Sequence, residues 1–372
     1  MSIFIRTFAC MKKNTLHTNP VTTIKALLHV VSLLSAPLLL TAAIFMAACS
    51  SDDANDTNDT PTPTNDNSEI QLNADVWRVM EGTRATTYDN ATGLQTGGFK
   101  VYAYERNTTT PYLDGLQVDY SDGWAFNDGK QYWPDYALDF FAHAPSTVPN
   151  YITSGPTYTA TASPSVTHDV TFACTLDNSL NDQNSDVKEF IYALALDQDK
   201  AGTNTSTQAV AGQVALTFQH PFARIYLKRG TIRRNGESVV SSVVRISRVT
   251  LKSVNKTGIY SYNNGTPSWG SLGNSTSYTL DEANVPTEGN GPYLVVPQTF
   301  NSTNNFSVQL TYRDGWGVLE TQEFETTVNT TWEPGHSYTY TISASITVSE
   351  GGGGGGSSGG ITVDVNKYTE QW

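Results

Sequence analysis

Residues 70–77 read IQLNADVW, with Ile70, Leu72, Ala74 and Val76 at every second position and polar residues between them. A period of two puts the four apolar side chains on one face, the signature of a strand half-buried against a core. The same logic extends through the chain. GFKVYAYE (98–105), ALDFFAHAP (137–145) and VKEFIYALAL (187–196) read as further strands. Turn chemistry separates them in SDGW (121–124), NDGKQYWP (127–134) and NNGTPSWG (263–270). A second set follows: QVALTFQHPFARIYLKRG (213–230), SVVRISRVTLKSV (242–254), PYLVVPQTF (292–300), NFSVQLTYRD (305–314), LETQEFETTV (319–328) and SYTYTISASITV (337–348).

No amphipathic helix of four turns interrupts these strands, so the chain is expected to be all-β. Its 372 residues suffice for two ordinary domains. The polar, glycine-containing stretch 197–212 is the best boundary, giving two tandem Greek-key β-sandwiches of transthyretin- or immunoglobulin-like type at 69–204 and 205–348.

The two ends have another character. Lys12, Lys13 and Lys25 precede an apolar run over 26–49 that closes on MAAC, with small residues before Cys49. This pattern resembles a bacterial lipoprotein signal peptide over 1–48, cut before Cys49, whose sulfur then carries lipid. Residues 50–68 hold no large apolar side chain and are rich in Asp, Asn, Thr and Pro, so 49–68 reads as a disordered acidic spacer. Such a spacer resembles the surface-export signal of Bacteroidetes lipoproteins, which implies an outer-membrane lipoprotein displayed at the cell surface. At the other end, 349–372 couples a Gly/Ser linker to an alternating segment, Ile361, Val363 and Val365.

Charge and chemistry narrow the function. The formal net charge is −13, and residues 1–48 hold basic residues but no acid, so removing them leaves the chain more acidic still. Nucleic acid is excluded as an expected partner. The three cysteines, Cys10, Cys49 and Cys174, provide no disulfide framework for the mature domains. No HExxH, Cys-x-x-Cys or Walker sequence occurs, and the six histidines are scattered. The spacing at Asp182, Asn184 and Asp186 begins like a calcium loop, but Val187 and Ala193 break it. No enzyme, cofactor or metal is expected. Nine of the 22 basic residues fall between Arg224 and Lys256, a run expected to line outward strand faces or to meet an acidic neighbour.

Four stretches, DGKQYWPDYALDFFAHAP (128–145), VALTFQHPFARIYLK (214–228), PYLVVPQ (292–298) and WEPGHSYTYTI (332–342), resemble in order the motifs of the major-fimbria-like fimbrillins of Bacteroidales. Pro221-Phe222 departs from the family's usual Ala-Leu after the histidine. The resemblance implies a fimbrial subunit, of stalk type, serving adhesion to a host or bacterial surface ligand. It further implies cleavage after Arg84 by a trypsin-like or gingipain-type protease, leaving Ala85 as the new N-terminus, with Arg78 as the second candidate cut. The expected partners are other fimbrial subunits, that protease, and the outer membrane through lipid on Cys49. Loss of the strand 70–77 would uncover a groove, and Ile361, Val363 and Val365 would be the donor strand that fills either the groove of its own subunit or that of a contacting neighbour. A tip adhesin and a glycan-binding surface lipoprotein using Trp124, Trp269 and Trp316 are the alternative readings.

Overall fold

The computed structural model describes residues 68–76, 91–106, 108, 110–162, 166–176, 189–202, 211–239, 244–263, 265–280, 290–348 and 358–371. In chain order the first strands are β1 (Gln71–Val76), β2 (Phe99–Glu105), β3 (Pro111–Tyr120), β4 (Trp124–Phe126), β5 (Leu138–Ala144), β6 (Ile152–Ala162), β7 (Val166–Thr175), β8 (Ile191–Gln198) and β9 (Gln213–Phe218). Next come β10 (Ala223–Arg234), β11 (Glu237–Ser238), β12 (Val244–Asn263), β13 (Thr266–Leu280) and β14 (Asn290–Val295). The last are β15 (Thr299–Phe300), β16 (Phe306–Arg313), β17 (Leu319–Thr326), β18 (Thr330–Thr331), β19 (His336–Val348) and β20 (Ser358–Gln371). Among the described residues one short helix, Ala91–Gly97, is present. The chain is all-β, as the alternation requires.

Sheet β4-β3-β2-β5-β8 faces the parallel pair β1–β9. Between them lie Ile70, Leu72, Ala74 and Val76 of β1, Val214, Leu216 and Phe218 of β9, and Phe99, Val101, Leu138, Phe140 and Ile191 of the larger sheet. Val214, Leu216 and Phe218 follow the expected boundary in sequence, yet they pack in this first core. The larger sheet is covered on its other face too: Tyr102, Tyr104, Phe141, Tyr192 and Leu194 point the opposite way, into an aromatic cluster with Tyr151, Phe172, Phe222 and Tyr260. Double coverage explains why every residue of β5, LDFFAHA, is buried.

The second sandwich sets β11-β10-β19-β20, with β14 on β10, against β17-β16-β12, with β13 on β12. Its core includes Ile225, Leu227, Ile246, Phe306, Leu310, Trp332, Tyr340 and Ile342. The 20-residue β12 belongs to both regions: Val244–Leu251 pairs with β16, and Thr257–Asn263 pairs with β7.

One expectation changes here. Residues 213–230, which read as one strand, are two strands in different sheets. Pro221 cannot donate to a ladder, and the chain switches sheets there, with Gly335 N donating to Phe222 O at 2.9 Å. Within DGKQYWPDYALDFFAHAP, Trp133, Phe140 and Phe141 fill the interior, whereas Tyr132 is 40% exposed.

Candidate strand-exchange site

Among the described residues β1 pairs with β9 alone, in uninterrupted parallel register from Gln71↔Gln213 to Val76↔Phe218. Its alternate side chains Leu72, Ala74 and Val76, with Ile70 before them, are all below 8% exposed, and the intervening ones face water. The segment is pinned by the β4–β5 connection and by β4. Ile70 N donates to Gln131 O at 2.8 Å, Trp133 N to Ser68 O at 3.0 Å, and Trp124 Nε1 to Ala74 O at 3.3 Å. Trp133 Nε1 donates to Gly212 O at 3.1 Å, and Lys130 pairs with Glu69 at 2.6 Å. Withdrawing β1 would leave apolar pockets two residues apart along one edge of β9, with unpaired backbone groups beside them.

The C-terminal segment is a strand, as its alternation predicts, and its partner is β19 of the same chain. The antiparallel register runs from His336↔Gln371 through Ile342↔Val365 and Ala344↔Val363 to Ile346↔Ile361. Ile361, Val363 and Val365 rest on the second core but are only partly buried. Among the described residues the outer edge of β20 carries no strand, because β20 ends the sheet order. Two segments with the same apolar spacing are thus docked differently: β1 is enclosed, and β20 lies on an edge. Cys49, Arg84 and Ala85 lie outside the described residues.

Other sequence candidates separate by environment. Arg224 is not on an outward face; it is 3% exposed and pairs with Glu189, which also contacts His220 Nδ1 at 3.1 Å. Arg233 and Arg245 do face water. His143 is buried between Tyr102 and Phe190, its Nδ1 3.0 Å from Pro145 O, and burial pushes its pKa down to about 4. Cys174 is a buried small hydrophobe whose thiol burial pushes up to about 12. Trp124 packs on Phe99 and Trp269 on Phe222, with Trp269 Nε1 donating to Pro221 O at 2.8 Å. Both are therefore engaged inside the protein, whereas Trp316 is 66% exposed. Sequence reading missed β9 as the partner of β1, because that pairing spans more than a hundred residues. It also missed the β6–β7 hairpin, although the alternation in THDVTFACT was visible.

The fimbrillin-like family profile matches residues 83–355. No curated protein matches the chain. Solved structures that resemble it include a candidate cell adhesion protein from Bacteroides uniformis (16% identity, 82% of this chain and 99% of that one, TM-score 0.47). A fimbrial protein from Bacteroides vulgatus has 15% identity, the same two coverages and a TM-score of 0.47. The fimbrial anchor protein Mfa2 from Porphyromonas gingivalis has 10% identity over 82% of this chain and 97% of its own, with a TM-score of 0.35. With more than two thirds of its length matched by the profile, this chain belongs to the fimbrillin-like family.

Proposed function

We propose that the chain is a structural subunit, of stalk type, of a cell-surface fimbria serving adhesion. It is anchored as a precursor by lipid on Cys49, matured by cleavage between Arg84 and Ala85, and polymerised by strand exchange with other fimbrial subunits. The observation that carries this reading is the pairing of features in one chain. A short N-terminal strand is enclosed by a core it joins through one neighbour, and a C-terminal strand of the same apolar spacing sits half-buried on an edge.

Arg84 follows Val76 by eight residues, so cutting there severs β1 from the rest of the chain while leaving the first core otherwise continuous. β20 then supplies the replacement. Placing Ile361, Val363 and Val365 at the positions of Leu72, Ala74 and Val76 fills three pockets and leaves Gly359 beside the pocket of Ile70. Sliding the strand by two residues would drive Lys367 into the position of Val76, which is 3% exposed, and burying an ammonium there is unfavourable. The first register is therefore preferred. The backbone ladder must form along the whole strand at once, which makes the joined state slow to come apart.

The test is digestion of the purified precursor with a trypsin-like protease. Multimers should appear with Ala85 at the new N-terminus, and a V363D variant should be processed but remain monomeric. Processed wild-type protein that stays monomeric would sink the reading. Labelled palmitate incorporated by the wild type and not by C49A checks the anchor separately.

A further inference from the structure

The β16–β17 hairpin ends in Arg313-Asp314-Gly315-Trp316-Gly317-Val318-Leu319, and Trp316, Val318 and Leu319 are 66, 54 and 57% exposed. The turn is rigidly built. Asp314 Oδ1 accepts hydrogen bonds from Trp316 N at 2.9 Å and Val318 N at 2.8 Å. Asp314 N donates to Val318 O at 2.9 Å, and Arg313 Nη1 to Gly317 O at 2.8 Å. From the neighbouring hairpin, Arg234 Nη2 donates to Asp314 O at 3.1 Å. Three large apolar side chains held in water on a pre-formed turn make an anchor whose ordering entropy is already spent before any partner arrives.

The anchor stands at a particular pole. Arg234, which braces it, is followed by Asn235, whose N donates to Ile346 O and whose Oδ1 accepts from Val348 N, both at 2.8 Å. Val348 ends β19 and is the point from which the chain runs on to β20. Nine residues separate Val348 from Ser358, a reach of at most about 35 Å. Any molecule that receives β20 must therefore approach this pole, and the Trp316 tip is an exposed apolar feature there.

The receiving side has its own exposed aromatics. Tyr132 bridges to Glu69 at the N-terminal mouth of the β1 site. Tyr112 Oη donates to Tyr132 O at 2.5 Å, and the Tyr112 and Tyr136 rings meet edge-on at 6.3 Å. All three tyrosines are about two-fifths exposed: 37, 40 and 43%. A strand entering in the place and direction of β1 begins at that mouth. Asp314 Oδ1, two residues before Trp316, is already occupied by backbone donors.

We propose that Trp316, with Val318 and Leu319, docks on Tyr112, Tyr132 and Tyr136 of a second copy of this chain, and that this contact guides β20 into the second copy's β1 site. The proposal rests on the strand-exchange reading above. Aromatic anchors of this kind dominate association between surfaces.

The test compares polymerisation of the protease-treated full chain with binding of a synthetic 358–372 peptide to the same treated chain. W316S and Y136S are each expected to slow polymerisation about tenfold, the order expected for losing one aromatic anchor. Peptide binding and the melting temperature should stay at wild-type values. Wild-type polymerisation rates in W316S overturn the docking, as does an equal loss of peptide binding, which would place the effect in the groove. Failure of the peptide to insert into wild-type protein instead rejects strand exchange, and the docking with it. A W316S-sensitive signal on glycan arrays or lipid vesicles with unchanged polymerisation reassigns the tip and also overturns the proposal.

Discussion

Glu189 Oε2 lies 2.7 Å from Arg224 Nη2, and both side chains are at most 4% exposed. The same oxygen is 3.1 Å from His220 Nδ1, so the carboxylate ties the start of β8 to the β9–β10 connection where the chain changes sheets. Removing one member of a buried pair strands the other, typically at about 3–5 kcal/mol. R224M should therefore lower stability by that order in urea denaturation, while E189L/R224M should recover much of the loss. A loss under ~1 kcal/mol for R224M would show that the pair is not isolated from water.

The pair also sets an acid response. Burial by itself raises the Glu189 pKa, but His220 and Arg224 outweigh it and leave the net value below the ordinary 4.5. With the folded pKa below the unfolded one, the unfolded chain takes up the proton first as pH falls. The stabilisation is complete above the ordinary carboxylate range and is lost as pH drops through it toward the folded pKa. Melting temperature against pH should fall more steeply on the acid side for wild type than for E189Q. Parallel curves would contradict this.

β1 and β20 should differ in dynamics. β1 encloses its apolar side chains, whereas those of β20 are partly wet, so β20 opens at lower free energy. Hydrogen exchange should be faster for the amides of β20 than for those of β1 and β9. Equal protection would mean that β20 is no easier to release than β1.

The tryptophans offer a contrast within one residue type. W269A removes a ring packed on Phe172, Phe222 and Tyr260 and should cost about 3–5 kcal/mol. W316A should change stability by no more than ~0.5 kcal/mol, as expected for an exposed side chain. Thermal melts of the two variants decide it.

Gly98 closes the helix Ala91–Gly97 at φ 61, its N–H donating to Leu94 O at 2.9 Å. A Cβ there would stand 2.7 Å from Val118 O of β3, so G98A combines backbone strain with a clash and should cost more than about 1 kcal/mol. Gly129, at φ 89 with open space around it, should tolerate alanine better. Comparable losses for both would show that strain, not the contact with β3, is decisive.

Several features were legible from local chemistry. The period-two alternation of Ile70, Leu72, Ala74 and Val76 states which face of β1 is buried, because neighbouring side chains of a strand must point to opposite sides. Gly335, at φ 66 after Pro334, marks the turn that launches β19. The spacing of Ile361, Val363 and Val365 likewise declared a strand.

Alternation names a face, however, and never a partner. That Gln71 pairs with Gln213 and Ile361 with Ile346, that Pro221 divides two sheets, and that Arg224 is turned inward by Glu189 were all decided by tertiary structure. The physical reason is that any strand edge offers the same backbone donors and acceptors. Which edge a segment takes depends on the apolar surface assembled beneath it by residues far away in the chain.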